Sequence, residues 1–137
     1  MNPSTFQFTE PILLNMNLEI NRQYKPEKSA NLDNDFHVQV NKNEKKNEAI
    51  VELTVEIGDR GDSYPFFISI TEGAKFRWEE AANDRVDTLL SQNAPALLLG
   101  YIRPLIATIT SATPFSAYNI PFIDFTNDVI AQKNAEE

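Results

Sequence analysis

The first half of this chain alternates apolar and polar residues, and this alternation constrains its fold more than any other feature. It occurs in "LLNMNLEIN" (13–21), "DFHVQVN" (35–41) and "AIVELTVEI" (49–57), and "YPFFISITEGAKFRW" (64–78) follows. A period of two places apolar side chains on one face of a strand. We therefore predict four strands in an antiparallel meander with one covered face, the fourth strand breaking near Gly73. In the first strand the covered positions are Leu14, Met16, Leu18 and Ile20.

The second half of the chain changes to a helical period. Apolar residues recur at helical spacing through "NAPALLLGYIRPLIATIT" (93–110), at Leu98, Tyr101, Ile102, Leu105 and Ile109. Pro104 lies inside this pattern and predicts a kink, because proline lacks a backbone donor and clashes with the preceding turn. A connecting loop and a short last helix over 123–133 complete the predicted elements.

Strands followed by helices indicate an α+β fold in which the helices cover one face of the sheet. The 137 residues suit a single domain over 1–137, with strands at about 6–78 and helices at about 84–132. Hydrophobic residues make up 42% and charged residues 23%, which is an ordinary globular composition.

The charge balance excludes several classes of partner. The net charge is −8, so nucleic acid is disfavoured as a partner and basic polypeptides are attracted. The N-terminus lacks the basic and continuous apolar regions of a signal peptide. Arg103 near the centre of the most apolar segment would cost about 2.5–3.5 kcal/mol in a bilayer. We expect a cytoplasmic protein without membrane insertion.

The residues offer little for catalysis. There is no cysteine, and the single histidine, His37, falls on the polar side of a predicted strand. One histidine cannot form a two-histidine metal site, and no glycine-rich phosphate-binding motif is present. We therefore predict no enzymatic activity, no metal and no cofactor.

Apolar side chains are unusually dense among the prolines of residues 114–125. They are Phe115, Tyr118, Ile120, Phe122, Ile123 and Phe125. They either complete the core of the domain or line a hydrophobic groove or an oligomer interface. The residues alone leave both interpretations open.

Three segments resemble the SecB family of protein-export chaperones. "PALLLGYIR" (95–103) resembles the family's helix motif, in which Pro-Tyr-x-Arg ends an apolar run, although Gly100 stands in place of proline. "YNIPFIDF" (118–125) resembles the segment Leu-Pro-Pro-x-Asn-Phe, and "FFISITEGAKF" (66–76) is similar to the fourth strand. The resemblance extends from about residue 6 to 130.

This resemblance implies a four-stranded sheet, a long helix, a loop and a short helix. It also implies a homo-oligomer in which two protomers pair their sheets and two dimers pack through their long helices. Chaperones of this kind hold unfolded precursor proteins without ATP and pass them to the SecA motor. A second hypothesis is a SecB-like binding module dedicated to one protein partner, such as a toxin–antitoxin client, without SecA docking.

The resemblance also assigns functional residues. The implied client groove is lined by Leu98, Tyr101, Phe115, Tyr118, Ile120, Phe122 and Phe125. The implied oligomer interface contains Phe66, Ile68, Ile70, Arg103, Leu105 and Ile109. Glu19 matches one acidic residue of the motor-docking surface, whereas Asn15 and Ser69 replace two others.

Overall fold

The computed structural model describes residues 3–24, 32–61 and 64–126, together with the backbone of 131–135. The strands are β1 (Phe6–Phe8), β2 (Ile12–Ile20), β3 (Asn34–Asn43), β4 (Glu48–Gly58), β5 (Phe66–Trp78) and β6 (Ala131–Ala135). A helical segment follows β5 and contains a 3-10 helix (Glu80–Arg85), α1 (Val86–Thr88), a π-helical turn (Leu89–Asn93) and α2 (Ala94–Ser111).

The predicted α+β fold, an antiparallel sheet followed by a long helix, is confirmed, but the sheet is not a meander. Its order is β1-β5-β4-β3-β6, and β2 also pairs with β5. The connections explain the difference. A short turn at 44–47 joins β3 to β4, whereas the longer connection at 21–33 allows β2 to reach the opposite edge of the sheet.

The sequence predicts a break of the fourth strand near Gly73, but β5 is continuous there. Gly73 pairs with Ile12 on one side and with Glu52 on the other, so the ladder continues through it. A Cβ atom on Gly73 would lie 2.9 Å from Cδ1 of Leu14. The break occurs instead between β1 and β2, where Pro11 cannot donate a backbone hydrogen bond.

A β-bulge between Leu13 and Asn15 makes the predicted orientation of Leu14 wrong. A bulge inserts an extra residue and shifts the alternation of side chains by one position. Leu13 and Met16 consequently pair with Glu72 and Ile70, whose side chains face α2. Leu14, which the simple alternation had placed on the covered face, lies across Gly73 on the opposite face.

The core lies between the sheet and the helical segment. In β4 it contains Val51, Leu53, Val55 and Ile57, all fully buried. In α2 it contains Leu98, Leu99, Ile102 and Ile106, which lie on one helical face. By its length and composition alone, the segment Glu80–Ser111 is long and apolar enough to cross a membrane. Core helices of soluble proteins have the same length and composition.

The short helix predicted over 123–133 is wrong for the residues that the structure describes. The backbone is non-helical up to Thr126, and Ala131–Ala135 forms β6, which pairs in parallel with β3. Residues 127–130 lie outside the described part of the chain. β6 satisfies backbone donors and acceptors on the edge of β3 that β4 leaves free.

Candidate functional site

The loop 112–126 returns along one flank of α2. Nη2 of Arg103 donates a hydrogen bond of 2.7 Å to the carbonyl oxygen of Pro121. The backbone N–H of Tyr118 donates to Oγ1 of Thr110, also at 2.7 Å. Both α2 residues project from the same side of the helix, so the loop covers that side.

The same loop is anchored to β3. The hydroxyl of Tyr118 lies 2.8 Å from Nδ2 of Asn34. The rings of Phe125 and Phe36 meet edge to face with their centroids 6.0 Å apart. The covered flank of α2 is therefore the one that faces β3.

The opposite flank of α2 faces β2 and remains open. At 100° per residue, Leu97, Tyr101 and Leu105 fall on the side of the helix away from Arg103. Tyr101 is 42% exposed, and Leu97 and Leu105 are half-buried. These residues form an apolar wall with no charged member.

β2 supplies the facing wall. On its helix side, Leu13 is 45% exposed and Met16 is 48% exposed. Phe115 lies at one end, with its ring centroid 5.7 Å from that of Tyr24 and 6.2 Å from that of Phe66. We call the space between these walls the β2–α2 groove.

A carboxyl group lies on the floor of the β2–α2 groove. Glu72 in β5 pairs in register with Leu13 of β2 and Leu53 of β4, so its side chain shares the helix-facing side of the sheet. Glu72 is only 4% exposed, and burial raises the pKa of its carboxyl above the ordinary value. It has no ion-pair or hydrogen-bond partner for its carboxyl among the described residues.

The residues that the resemblance assigns to a client groove do not form one continuous surface. Leu98, Ile120 and Phe125 are buried in the core, and Tyr118 is half-buried against Asn34. Tyr101 belongs to the open wall and Phe115 to the end of the groove. Phe122 is 88% exposed but follows Pro121, on the covered flank of α2.

The implied oligomer interface is divided in the same way. Phe66, Ile68 and Ile70 are at most 1% exposed, because they lie on an internal strand beneath α2. Their side chains are core in the protomer and cannot reach a second copy without unfolding. Leu105 and Ile109 are half-buried on α2, and Arg103 is hydrogen bonded to the loop.

The face of the sheet away from α2 is mainly polar. Glu19 lies here, and its Oε2 is 2.6 Å from Nε of Arg60. His37 is also on this face, 3.5 Å from the carboxylate of Glu56. Within the described ranges, no group of three or more histidine, aspartate or glutamate side chains is placed to hold a metal ion.

An apolar depression of about 360 Å³ lies on this polar face, at the end near the β1–β2 break. Ile12, Leu14 and Ile50 provide its apolar lining, and all three are exposed. Ile12 and Leu14 therefore lie on the same strand as Leu13 and Met16 but on the opposite face of the sheet.

Sequence reasoning did not identify Leu13, Leu97 and Glu72 as residues of a groove. The adjacent leucines Leu13 and Leu14 break the alternation of the first strand, and this irregularity is the available signal for a bulge. The inward position of Glu72, between Ile70 and Ala74, also follows from strict alternation along the fourth strand.

The family model for the preprotein translocase subunit SecB matches residues 11–136. This chain belongs to the SecB family. Family membership supports a chaperone role, and the family is not enzymatic. No curated protein matches the chain significantly in sequence.

A solved structure shows the same fold. A SecB-like chaperone of Mycobacterium tuberculosis, Rv1957, in complex with a ChAD peptide from the Rv1956 HigA1 antitoxin, is similar with a TM-score of 0.70 and 14% identity. The match covers 86% of this chain and 90% of that chain. A Streptococcus agalactiae protein of unknown function gives a TM-score of 0.47 at 15% identity, covering 85% of this chain and 97% of that one.

Proposed function

We propose that this SecB-family protein is an ATP-independent holdase that binds unfolded or precursor polypeptides in the β2–α2 groove. The supporting observation is the pair of apolar walls, in which Leu13 and Met16 on β2 and Tyr101 on α2 remain exposed. Contiguous exposed apolar surface on a folded protein marks a site of interaction. Apolar contacts are non-directional, so such a groove accepts many different sequences.

The proposed holdase acts as a homo-oligomer in the cytoplasm. Among the described residues, β2 pairs only with β5, so its outer edge offers backbone groups to the β2 strand of a second copy. The outward side of α2 carries small or ring-shaped residues at Ala96, Gly100 and Pro104, which permit a second helix to approach closely.

The alternative is a chaperone dedicated to one protein, and the complex of the mycobacterial neighbour with an antitoxin peptide favours it. The exposed sheet face bears on the choice between the two. Glu19 is the acidic residue that the resemblance assigns to SecA docking, and its carboxylate interacts with Arg60. Asn15 and Ser69 supply no charge at the other two positions. Binding of one client, with generic unfolded proteins ignored, is the outcome expected of a dedicated chaperone.

Paired variants of β2 test where the client binds. Leu13→Ser with Met16→Ser removes one wall of the groove, and we expect about tenfold or greater loss of affinity for an unfolded client. The matched control is Ile12→Ser with Leu14→Ser, which removes similar exposed apolar surface from the same strand on its other face.

The control variant is expected to retain the affinity of the unmodified protein, and thermal unfolding of both variants reports whether the fold is intact. Equal loss of affinity in the two folded variants would place the client elsewhere than in the β2–α2 groove.

A further inference from the structure

Glu72 is a charged residue type in a position that the core would otherwise fill with an apolar side chain. Along β5 the neighbouring inward positions are Ile70 and Ala74, and Glu72 as a whole residue is only 4% exposed. The apolar contacts of the proposed holdase function make no use of this carboxyl group.

Among the residues that the structure describes, the helices packed near Glu72 provide no cation. In α2 the only charged residue is Arg103, which lies on the flank facing β3 and donates to Pro121. In α1 the only charged residue is Asp87, which pairs with Lys42 at 2.9 Å.

The adjacent strands do not provide a cation either. Lys75 and Arg77 alternate onto the opposite face of β5, where both are exposed. In β4, Glu52 and Glu56 also project from that opposite face. β2 contains a single charged residue, Glu19, which pairs in register with Phe67 on the same outer side.

A buried carboxylate without a partner is unfavourable, and a cation brought into contact with it removes much of that penalty. Lys and Arg suit this geometry, because their methylene stems can pack along apolar walls while the charged end reaches the floor. A neutral client residue leaves the penalty in place, and an acidic residue adds repulsion.

We propose that Glu72 determines client specificity by pairing, on the floor of the β2–α2 groove, with a Lys or Arg that apolar residues flank in the client. This inference rests on the proposed holdase function and names the feature that selects among unfolded segments. It assigns to the groove a charge-selective position between two apolar walls.

The test uses two unstructured peptides of the same sequence, with leucine and phenylalanine around a central position that is Arg in one and Gln in the other. We expect the unmodified protein to bind the Arg peptide at least about tenfold more tightly, as for one charge-assisted contact. Glu72→Gln should bind both peptides equally, with undiminished affinity for the Gln peptide.

Glu52→Gln is the matched control, because it removes the same charge from the outer face of the neighbouring strand. This variant should keep the preference for the Arg peptide. Loss of the preference in both variants would show that the preference for the Arg peptide depends only on the net charge of the protein. That result would overturn the assignment to Glu72.

Other outcomes are equally decisive. A preference that persists in folded Glu72→Gln, or no preference in the unmodified protein, overturns the role of Glu72 while leaving the holdase function intact. Failure to bind either peptide or any other unfolded chain overturns the proposed function itself.

A second measurement needs no variant and applies even if Glu72→Gln does not fold. Lowering the pH through the raised pKa of Glu72 protonates its carboxyl but leaves Arg charged. The preference for the Arg peptide should therefore decrease on acidification, while binding of the Gln peptide is retained. A preference that stays constant down to the lowest pH at which the protein remains folded contradicts the proposal.

Discussion

Phe122 and Phe125 belong to the same loop but have opposite environments. The ring of Phe125 is 7% exposed and packs on Phe36, whereas Phe122 is 88% exposed. Phe125→Ala should cost about 3–5 kcal/mol of unfolding free energy, as in other core truncations of phenylalanine. Phe122→Ala should change it by less than about 0.5 kcal/mol.

Urea unfolding of the two variants measures this difference. Phe122 follows Pro121 on the covered flank of α2, outside the β2–α2 groove, so we expect Phe122→Ala to leave binding of an unfolded client unchanged. A large loss of stability in Phe122→Ala would show instead that this ring packs against the protein.

The carboxyl of Glu72 gives the folded protein a distinctive dependence on pH. Its pKa is raised above 4.5 in the folded state, so this state binds more protons than the unfolded chain between 4.5 and the raised value. The contribution of Glu72 to stability therefore decreases as the pH rises through that window. Above the window, Glu72→Gln should be more stable than the unmodified protein.

Thermal unfolding at a series of pH values checks this sign. The difference between Glu72→Gln and the unmodified protein should grow with pH through the window and then level off. A difference that shrinks as the pH rises would mean that the ionised carboxylate is stabilised in the folded protein.

At the residue scale, the alternation of the sequence predicted most of the core correctly. Met16, Leu18 and Ile20 lie on the side of the sheet that faces α2, as expected. The exposure of Met16 was not predictable, because it depends on how far α2 reaches across the sheet. The position of Leu14 depends on a bulge, which follows from pairing with β5 rather than from local preference.

At the scale of elements, α2 has an exposed face whose small residues are not needed within the protomer. A Cβ atom on Gly100 would meet no heavy atom within 4 Å, so this glycine is not required by packing. Gly100→Gln should therefore stabilise the isolated protomer, by up to about 1 kcal/mol from helix propensity. In the tetramer that the resemblance to SecB implies, the same side chain would separate the packed helices.

Light scattering and thermal unfolding together test this prediction. We expect Gly100→Gln to reduce the tetramer to dimers without loss of protomer stability. Ala81→Gln, at an exposed position in the preceding 3-10 helix, is the control and should leave the assembly unchanged. A tetramer that persists in Gly100→Gln would exclude this face of α2 from the interface.

The last element shows the limit of local patterns. Residues 123–133 have a spacing compatible with a helix, yet Ala131–Ala135 pairs with β3 as a strand. The free edge of β3 exists only after the sheet has formed, so the competing backbone partner is absent from the local sequence. By contrast, the helical period of residues 94–111 predicted α2 correctly, because the apolar face that this period creates packs on the sheet.

At the scale of the whole molecule, the sheet separates two surfaces of different character. One surface is polar and includes Glu19 and His37, and the other lies under α2 and opens into the β2–α2 groove. The α+β class of the fold was predictable, because a strand period of two in the first half of the chain is followed by a helical period in the second half. The position of the groove did not, because it depends on the crossover of β2 to β5 and on the return of the loop along only one flank of α2.

The most direct test of the account is a titration with one labelled client in two forms, a permanently unfolded form and its folded counterpart, without nucleotide. We predict saturable binding of the unfolded form and no binding of the folded form. Absence of binding to the unfolded forms of several different clients, or equal binding of folded and unfolded forms, would contradict a holdase function.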